Sequence, residues 1–258
     1  MLLLLIFLFF IILLCSKNKI FGGTKIYEGG TIKNINDLKI YVINMKESTD
    51  RKKHIEKILN NYNYEFIDAI NGKQINSDEF NDITKNTIRK MKPGEVGIFL
   101  SIKKLFKTFL ESNNQYCLVL EDDISLHNNF FNELNKCLSE MPIFDVFYCY
   151  SKPLYQFYNI IGKDVIDYFP EKWDEKLPLL LDKDYSSNCV LASGHRMGCY
   201  GMIISRNAAK QFLDKLKTIK TAIDVQLHFK DVKENLKIFA SKKNLVTHDW
   251  TFGSTIQR

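Results

Sequence analysis

Positions 2–15 of the chain, LLLLIFLFFIILLC, are apolar without a break, and the polar Ser16-Lys17-Asn18-Lys19 follows. A run with no polar face suits a bilayer better than the two-faced environment of a core helix. As a helix it would rise about 21 Å, short of the roughly 20 residues that cross a membrane comfortably. Residues 1–16 therefore read as a signal anchor or a signal peptide. Met1-Leu2 offers no basic start and no Ala-x-Ala site follows Leu14, which favours a single-pass N-terminal anchor in a membrane. Lys17 and Lys19 favour a cytosolic downstream side, and no Asn-x-Ser/Thr sequon occurs among the 22 Asn. The orientation stays open, the secretory pathway included. Residues 17–38, with Gly22-Gly23 and Gly29-Gly30 among polar neighbours, read as a linker.

From residue 39 the pattern becomes that of alternating strands and helices. Residues 39–44 (KIYVIN) are β-branched enough for a strand. Ser48-Thr49-Asp50 then offers capping oxygens to a helix reaching about Asn60, with Ile55, Ile58 and Leu59 on one face. Residues 64–70 form a second strand closed by Asn71-Gly72, Ser77 caps a second helix, and Pro93-Gly94 punctuates before a third. In that third helix Val96, Phe99, Leu100, Leu105, Phe106 and Phe109 build a wide apolar stripe. Residues 116–120 (YCLVL) are apolar enough for a central strand covered on both faces. A helix over 128–140 and a strand over 146–149 follow. Residues 150–187 are aromatic and irregular, like a long insertion beside a binding site. Residues 198–204 are again strand-like, and Ser205 caps a helix through about Leu216. The order argues for an α/β fold with a mainly parallel sheet flanked by helices.

Composition narrows the function classes. The 258 residues are 45% apolar and 26% charged, with 12 Gly and 5 Pro, which excludes a disordered or collagen-like chain. The net charge is +6, but 31 of the 36 basic residues are Lys, and they are scattered, in pairs at most such as Lys52-Lys53, Lys103-Lys104 and Lys242-Lys243, so nothing points to nucleic acid. The six cysteines form no Cys-x-x-Cys pair and no zinc-finger spacing. Cys117 and Cys149 sit in apolar runs and read as buried thiols; a disulfide between two of the others stays open.

The sharpest chemical signal is Glu121-Asp122-Asp123, directly after strand 116–120. In open α/β sheets ligands bind outside the carboxyl ends of the strands. Three consecutive carboxylates repel one another unless a cation sits among them. A hard divalent ion, Mn²⁺ or Mg²⁺, bringing a diphosphate with it, is one reading. An acidic helix-start patch is the other. Alternation at the strand end places Glu121 and Asp123 on one face.

Four stretches resemble glycosyltransferase family 25, which includes lipooligosaccharide glycosyltransferases and procollagen galactosyltransferases. They are Ile40-Tyr41-Val42-Ile43-Asn44 with Asp50-Arg51, and Phe66-Ile67-Asp68-Ala69-Ile70-Asn71-Gly72. Next come Pro93-Gly94-Glu95-Val96-Gly97 with Ser101, leading to Leu118-Val119-Leu120-Glu121-Asp122-Asp123. Last are Gly201-Met202-Ile203-Ile204-Ser205 with Ala208, Ala222-Ile223-Asp224, and Ser254-Thr255-Ile256. The resemblance implies a GT-A-like, Rossmann-type domain over residues 39–258, a UDP-sugar donor and a Mn²⁺ (or Mg²⁺) ion at the diphosphate. It implies an inverting transfer of a hexose, galactose or glucose, to a protein hydroxylysine or a glycan hydroxyl. Asp123 then takes the metal, Glu121 and Asp122 share metal and ribose contacts, and Arg51 suits the nucleotide unless it is an exposed helix-start arginine. Asp224 matches the family's general base, although a helix-capping Asp would need no catalytic role. His248, beside Asp249 and after a strand over 245–247, offers a third metal ligand. His195 and Arg196 contact phosphate or acceptor, or form a solvated loop.

One departure stands out. Where the family reads Gly-Cys and then Ser-His, this chain has Ile98 and Ile102. Either a substrate contact is lost, leaving a membrane-tethered nucleotide-sugar or partner-binding module, or the helix is packed differently there. A metal-dependent phosphohydrolase built on the same acids lacks a recognisable nucleophile motif.

Overall fold

The computed structural model describes residues 32, 34–150, 182–192, 196 and 198–253. The apolar run 2–15, most of the linker, most of the aromatic insertion, His195 and Ser254-Thr255-Ile256 lie outside the described residues. Among the described residues no helix is long and apolar enough to cross a membrane.

The strands are β1 (Lys39–Asn44), β2 (Tyr64–Asp68), β3 (Tyr116–Glu121), β4 (Ile124–Leu126), β5 (Val146–Tyr148), β6 (Lys183–Asp184), β7 (Cys189–Leu191), β8 (Met202–Ser205), β9 (Ile238–Ser241) and β10 (Val246–His248). The helices are α1 (Thr49–Ile58), α2 (Ser77–Thr84), α3 (Pro93–Glu111), α4 (Phe130–Glu140), α5 (Arg206–Lys215) and two single turns, α6 (Ile223–Gln226) and α7 (Lys230–Lys233). Eight strands form one sheet in the order β2-β1-β3-β8-β5-β9-β7-β6. β1 runs parallel to β2 and β3, and β5 parallel to β9. β8 lies antiparallel between β3 and β5, and the β7–β6 edge is antiparallel too. The result is the α/β sheet flanked by helices that the strand–helix alternation implies, with antiparallel pairs set among the parallel ones.

β3 explains its own position. All five residues from Tyr116 to Leu120 are buried, so side chains on both its faces are covered, as a central strand requires. α3 lays Phe99, Ile102, Leu105, Phe106 and Phe109 into the core, where Phe106 stacks on Phe212 of α5 with ring centroids 5.7 Å apart. Pro93 occupies the first turn of α3, where its missing N–H costs nothing. Ser205 caps α5 as expected, its Oγ accepting from the Ala208 N–H. At α2 the cap is Asn76 rather than Ser77, since the Asn76 side chain already accepts from the Glu79 N–H.

Ile102 is fully buried in the core and Ile98 packs against it. Its neighbours serve a loop contact. Ser101 Oγ donates to the Gly97 carbonyl and accepts from the Ile70 N–H. A Cβ on Gly72 would sit 1.7 Å from the Pro93 carbonyl oxygen, and one on Gly97 would sit 2.5 Å from the Ile70 oxygen. Glycine at both positions is what lets the 69–74 loop lie against α3.

The folded part begins before β1. Ile32, Ile35 and Leu38, inside the stretch read as linker, are buried in the core, and the Ile35 N–H donates to Asn135 Oδ1 on α4. The five described cysteines, Cys117, Cys137, Cys149, Cys189 and Cys199, are free and buried.

Candidate active site

A second, two-stranded sheet builds the site. β10 pairs antiparallel with β4, setting His248 opposite Ile124. That register brings the end of the chain back to the acids that close β3, and the Asp249 N–H donates to the Asp123 carbonyl at 2.7 Å.

The three acids divide as strand alternation predicts. Asp122 turns toward β1 and α1, where its two oxygens accept from Arg51 Nη1 at 2.9 Å and Asn44 Nδ2 at 2.7 Å. Burial raises its pKa, and the Arg51 charge and hydrogen bond work against that rise. Arg51 is not an exposed helix-start residue: it is 8% exposed. The same Nη1 also donates to Asp123 Oδ2 at 3.0 Å, and Nη2 donates to the Gly253 carbonyl at 2.6 Å. Arg51 therefore clamps the start of α1, the acidic triplet and the turn after β10 into one unit.

Glu121 and Asp123 face the other way, toward His248. Asp123 Oδ1 is buried without a hydrogen bond and lies 3.5 Å from His248 Nδ1. Burial, reinforced by the neighbouring Asp123 charge, pushes the Glu121 carboxyl up to about 7. Burial opposes charge on His248, yet Asp123 and Glu121 together raise its pKa. An orphaned carboxylate oxygen beside a second carboxyl that resists ionisation is what a hard cation would satisfy. The side chains nearest to such a cation would be Glu121, Asp123 and His248. Among the described residues, no three His, Cys, Asp or Glu side chains already stand arranged as a metal centre.

Asp224 approaches from α6. Ala222 is the cap of that turn, so Asp224 sits within it and does not cap it. Its Oδ2 accepts from the Gly198 N–H at 2.8 Å and its Oδ1 from its neighbour Val225 N–H at 3.0 Å. Burial raises its pKa, and those two N–H groups restrain the rise. The next N–H along, that of Cys199, donates to Glu121 Oε1 at 3.2 Å. Consecutive peptide groups thus hold Asp224 on one side and Glu121 on the other. Gly198 makes this turn with φ of +83°, and a Cβ there would strike the Tyr200 ring at 2.4 Å.

Arg196 is no solvated-loop residue. It is 1% exposed, pairs with Asp182 at 2.6 Å, and lies over the Tyr148 ring. Its N–H donates to His228 Nε2, so it anchors the chain on both sides of the insertion. Sequence reasoning missed Asn44 as the partner of Asp122 and missed the Gly198-Cys199 amides. The first had a faint signal, a polar residue ending an apolar strand; backbone donors leave none.

The carboxyl end of a central strand is where an α/β fold places its ligands, and here it carries the acid cluster, with Asp224 of α6 tied to Glu121 through the Gly198-Cys199 backbone. The family model described as glycosyltransferase family 25 (LPS biosynthesis protein) matches residues 37–227, and the chain belongs to that family. A glycosyltransferase 25 family member of Aedes aegypti is 27% identical over 68% of this chain and 28% of its own length. Procollagen galactosyltransferase 1-B of Xenopus laevis is 27% identical over 40% of this chain and 19% of its own length. The putative glycosyltransferase R655 of Acanthamoeba polyphaga mimivirus is 26% identical over 69% of this chain and 53% of its own length. The matched region spans about half or less of each of these relatives.

Proposed function

We propose that the chain is a metal-dependent, inverting glycosyltransferase. In this reading it moves a hexose from a UDP-sugar to a hydroxyl of a protein (hydroxylysine) or a glycan, from a membrane-attached position set by residues 2–15. Galactose or glucose is the proposed hexose, and the likeness to a procollagen galactosyltransferase supports galactose. The observation that carries the reading is the link of Glu121 to the half-buried Asp224 through one turn of backbone, with the orphaned Asp123 oxygen beside Glu121.

Each residue has a task in this reading. Glu121, Asp123 and His248 would hold the cation, which would supply positive charge against the diphosphate leaving group. Asp122 keeps Arg51 and Asn44 in place beneath the nucleotide, and Arg51 supports the nucleotide side of the cleft by fixing the turn at Gly253. Asp224 takes the proton of the acceptor hydroxyl; its raised pKa brings it closer to the range in which a carboxylate works as a base. Inversion requires the acceptor to arrive on the ring face opposite the diphosphate, which matches acids presented from two different elements.

The test is UDP release by the purified full chain with UDP-galactose or UDP-glucose, Mn²⁺ and candidate acceptors. Release should exceed that of a Glu121→Ala/Asp123→Ala double variant by at least about 10²-fold. Equal release by the two proteins removes the proposal.

A further inference from the structure

Trp250 is 80% exposed, the most exposed large apolar side chain among the described residues. It is nevertheless held firmly. It opens the single 3₁₀ turn Trp250–Phe252, whose cap Asp249 accepts from the Thr251 N–H and hydroxyl and from the Ser125 hydroxyl. The Asp249 N–H is fixed to Asp123, and Arg51 grips the Gly253 carbonyl at the other end. Phe252 packs its ring against His54, 5.1 Å between centroids. A turn tied down at both ends that still presents an indole to solvent invites a ligand.

The indole also ends a file of rings that climbs out of the core past the acids. Tyr148 meets Tyr150, Tyr150 stacks on Tyr200 at 4.5 Å, Tyr200 meets His248 at 4.2 Å, and His248 meets Trp250 at 5.5 Å. Trp250 is thus one ring away from the residue that faces Asp123. Asp249 precedes it, and the acids beyond His248 accept hydrogen bonds of the kind sugar hydroxyls donate. The apolar C–H face of a pyranose matches the face of an indole. A nucleobase is better served by a closed slot; a platform open on one side suits a ring carried on a larger molecule that stays in solvent.

We propose that Trp250 is a stacking platform for a hexopyranose ring of the acceptor, placed beside the Glu121/Asp123/His248 cluster. This rests on the transferase reading and adds the acceptor's chemical class to it.

The experiment uses the full chain in a detergent without sugar headgroups, with methyl β-galactopyranoside and methyl β-glucopyranoside as probes. Glycoside binding is followed by saturation-transfer NMR, and UDP binding with Mn²⁺ by calorimetry. Trp250→Ala should weaken binding of at least one glycoside about ten-fold, Trp250→Phe should keep most of it, and UDP affinity should stay within about two-fold in both. Unchanged glycoside binding in Trp250→Ala overturns the platform, and so does a loss of UDP affinity as large as the glycoside loss, which would make Trp250 a nucleobase contact. Wild-type protein that binds UDP but neither glycoside removes the platform and leaves the transferase reading standing. Wild-type protein that binds no UDP removes both.

Discussion

Asp224 and Asp123 are both carboxylates near one cleft, yet their surroundings assign them different failures. Asp224 is half-buried, and its two oxygens accept from two different backbone N–H groups. In Asp224→Asn the amide oxygen keeps one of those contacts and the amide nitrogen, a donor, loses the other, so the variant should fold with about 1–3 kcal/mol less stability. Below its melting point it should bind UDP like the wild type and lose about 10²–10⁴-fold in turnover, because the capacity to take a proton is gone. Asp123→Asn replaces a charged cation ligand, so Mn²⁺-dependent UDP binding should fall along with turnover; steady-state rates and calorimetry separate the two patterns. Glu121 adds a pH dependence. Its folded pKa of about 7 stands above the group's ordinary value of 4.5, so its favourable contribution is complete below about pH 4.5. That contribution disappears as pH rises through about 7, where the poorly solvated Glu121 carboxylate faces the charges of Asp123 and Asp122. Glu121→Gln, which stays neutral, should match the wild type near pH 5 and exceed it by up to roughly 3 kcal/mol near pH 8 without metal. Mn²⁺ should reverse the order, stabilising the wild type more at pH 8 than at pH 5, since proton and cation compete for the same oxygens; thermal melts over that range decide it. The triplet was legible in sequence because adjacent acids at a strand end are rare and their alternation is fixed by the backbone. The clamp was not legible, because Asn44, Arg51 and Asp122 lie 71 and 78 residues apart in their pairings and nothing local announces them.

The element that joins the two halves of the site is the short turn at Gly198-Cys199. Its consecutive N–H groups reach Asp224 and Glu121, and its geometry depends on a positive φ and on the nearness of the Tyr200 ring. Gly198→Ala should cost about 1–3 kcal/mol from the backbone conformation alone, and more from the collision with Tyr200. Because the strain is relieved by shifting the turn, turnover should fall further than melting temperature implies, whereas Cys199→Ala, which keeps both amides, should leave turnover near wild type. Activity measured on folded protein well below the melting point distinguishes the two effects. Elements of this kind are where sequence reading stopped. α3 and β3 were plain because 19 and 6 residues carry a continuous apolar signal. β4 and β7 have three residues each, too few for a period to show, and β4 is the strand whose pairing with β10 brings His248 to the acids. The antiparallel insertion of β8 between β3 and β5 was equally hidden, since direction in a buried strand leaves no mark on its hydrophobic pattern.

At the scale of the whole molecule, the question is where the folded body starts. An apolar run at 2–15 and a polar, glycine-bearing stretch to residue 38 suggested a boundary just before β1. Burial moves that boundary upstream. Ile32, Ile35 and Leu38 are 5%, 3% and 7% exposed, and Asn34 caps the turn Ile35–Asp37 with its own side chain. That turn is fixed to α4 by the Ile35–Asn135 hydrogen bond. Burying an Ile or Leu side chain is worth roughly 1.5–3 kcal/mol, so these three together are worth several kcal/mol out of a typical total of 5–15 kcal/mol. Two truncations should then behave differently. Removing residues 1–30 should leave a domain that melts within a few degrees of the full chain, keeps UDP binding, and no longer sediments with membranes or needs detergent. Removing residues 1–38 should release an equally detergent-independent protein that melts roughly 10 °C lower or more, at about 2–4 °C per kcal/mol for a chain of this size. The contrast separates the membrane proposal from the packing argument. If the shorter deletion still sediments with membranes after carbonate washing, residues 2–15 are not what attaches the chain. If both truncations melt alike, the three apolar residues before β1 contribute nothing to the stability of the domain.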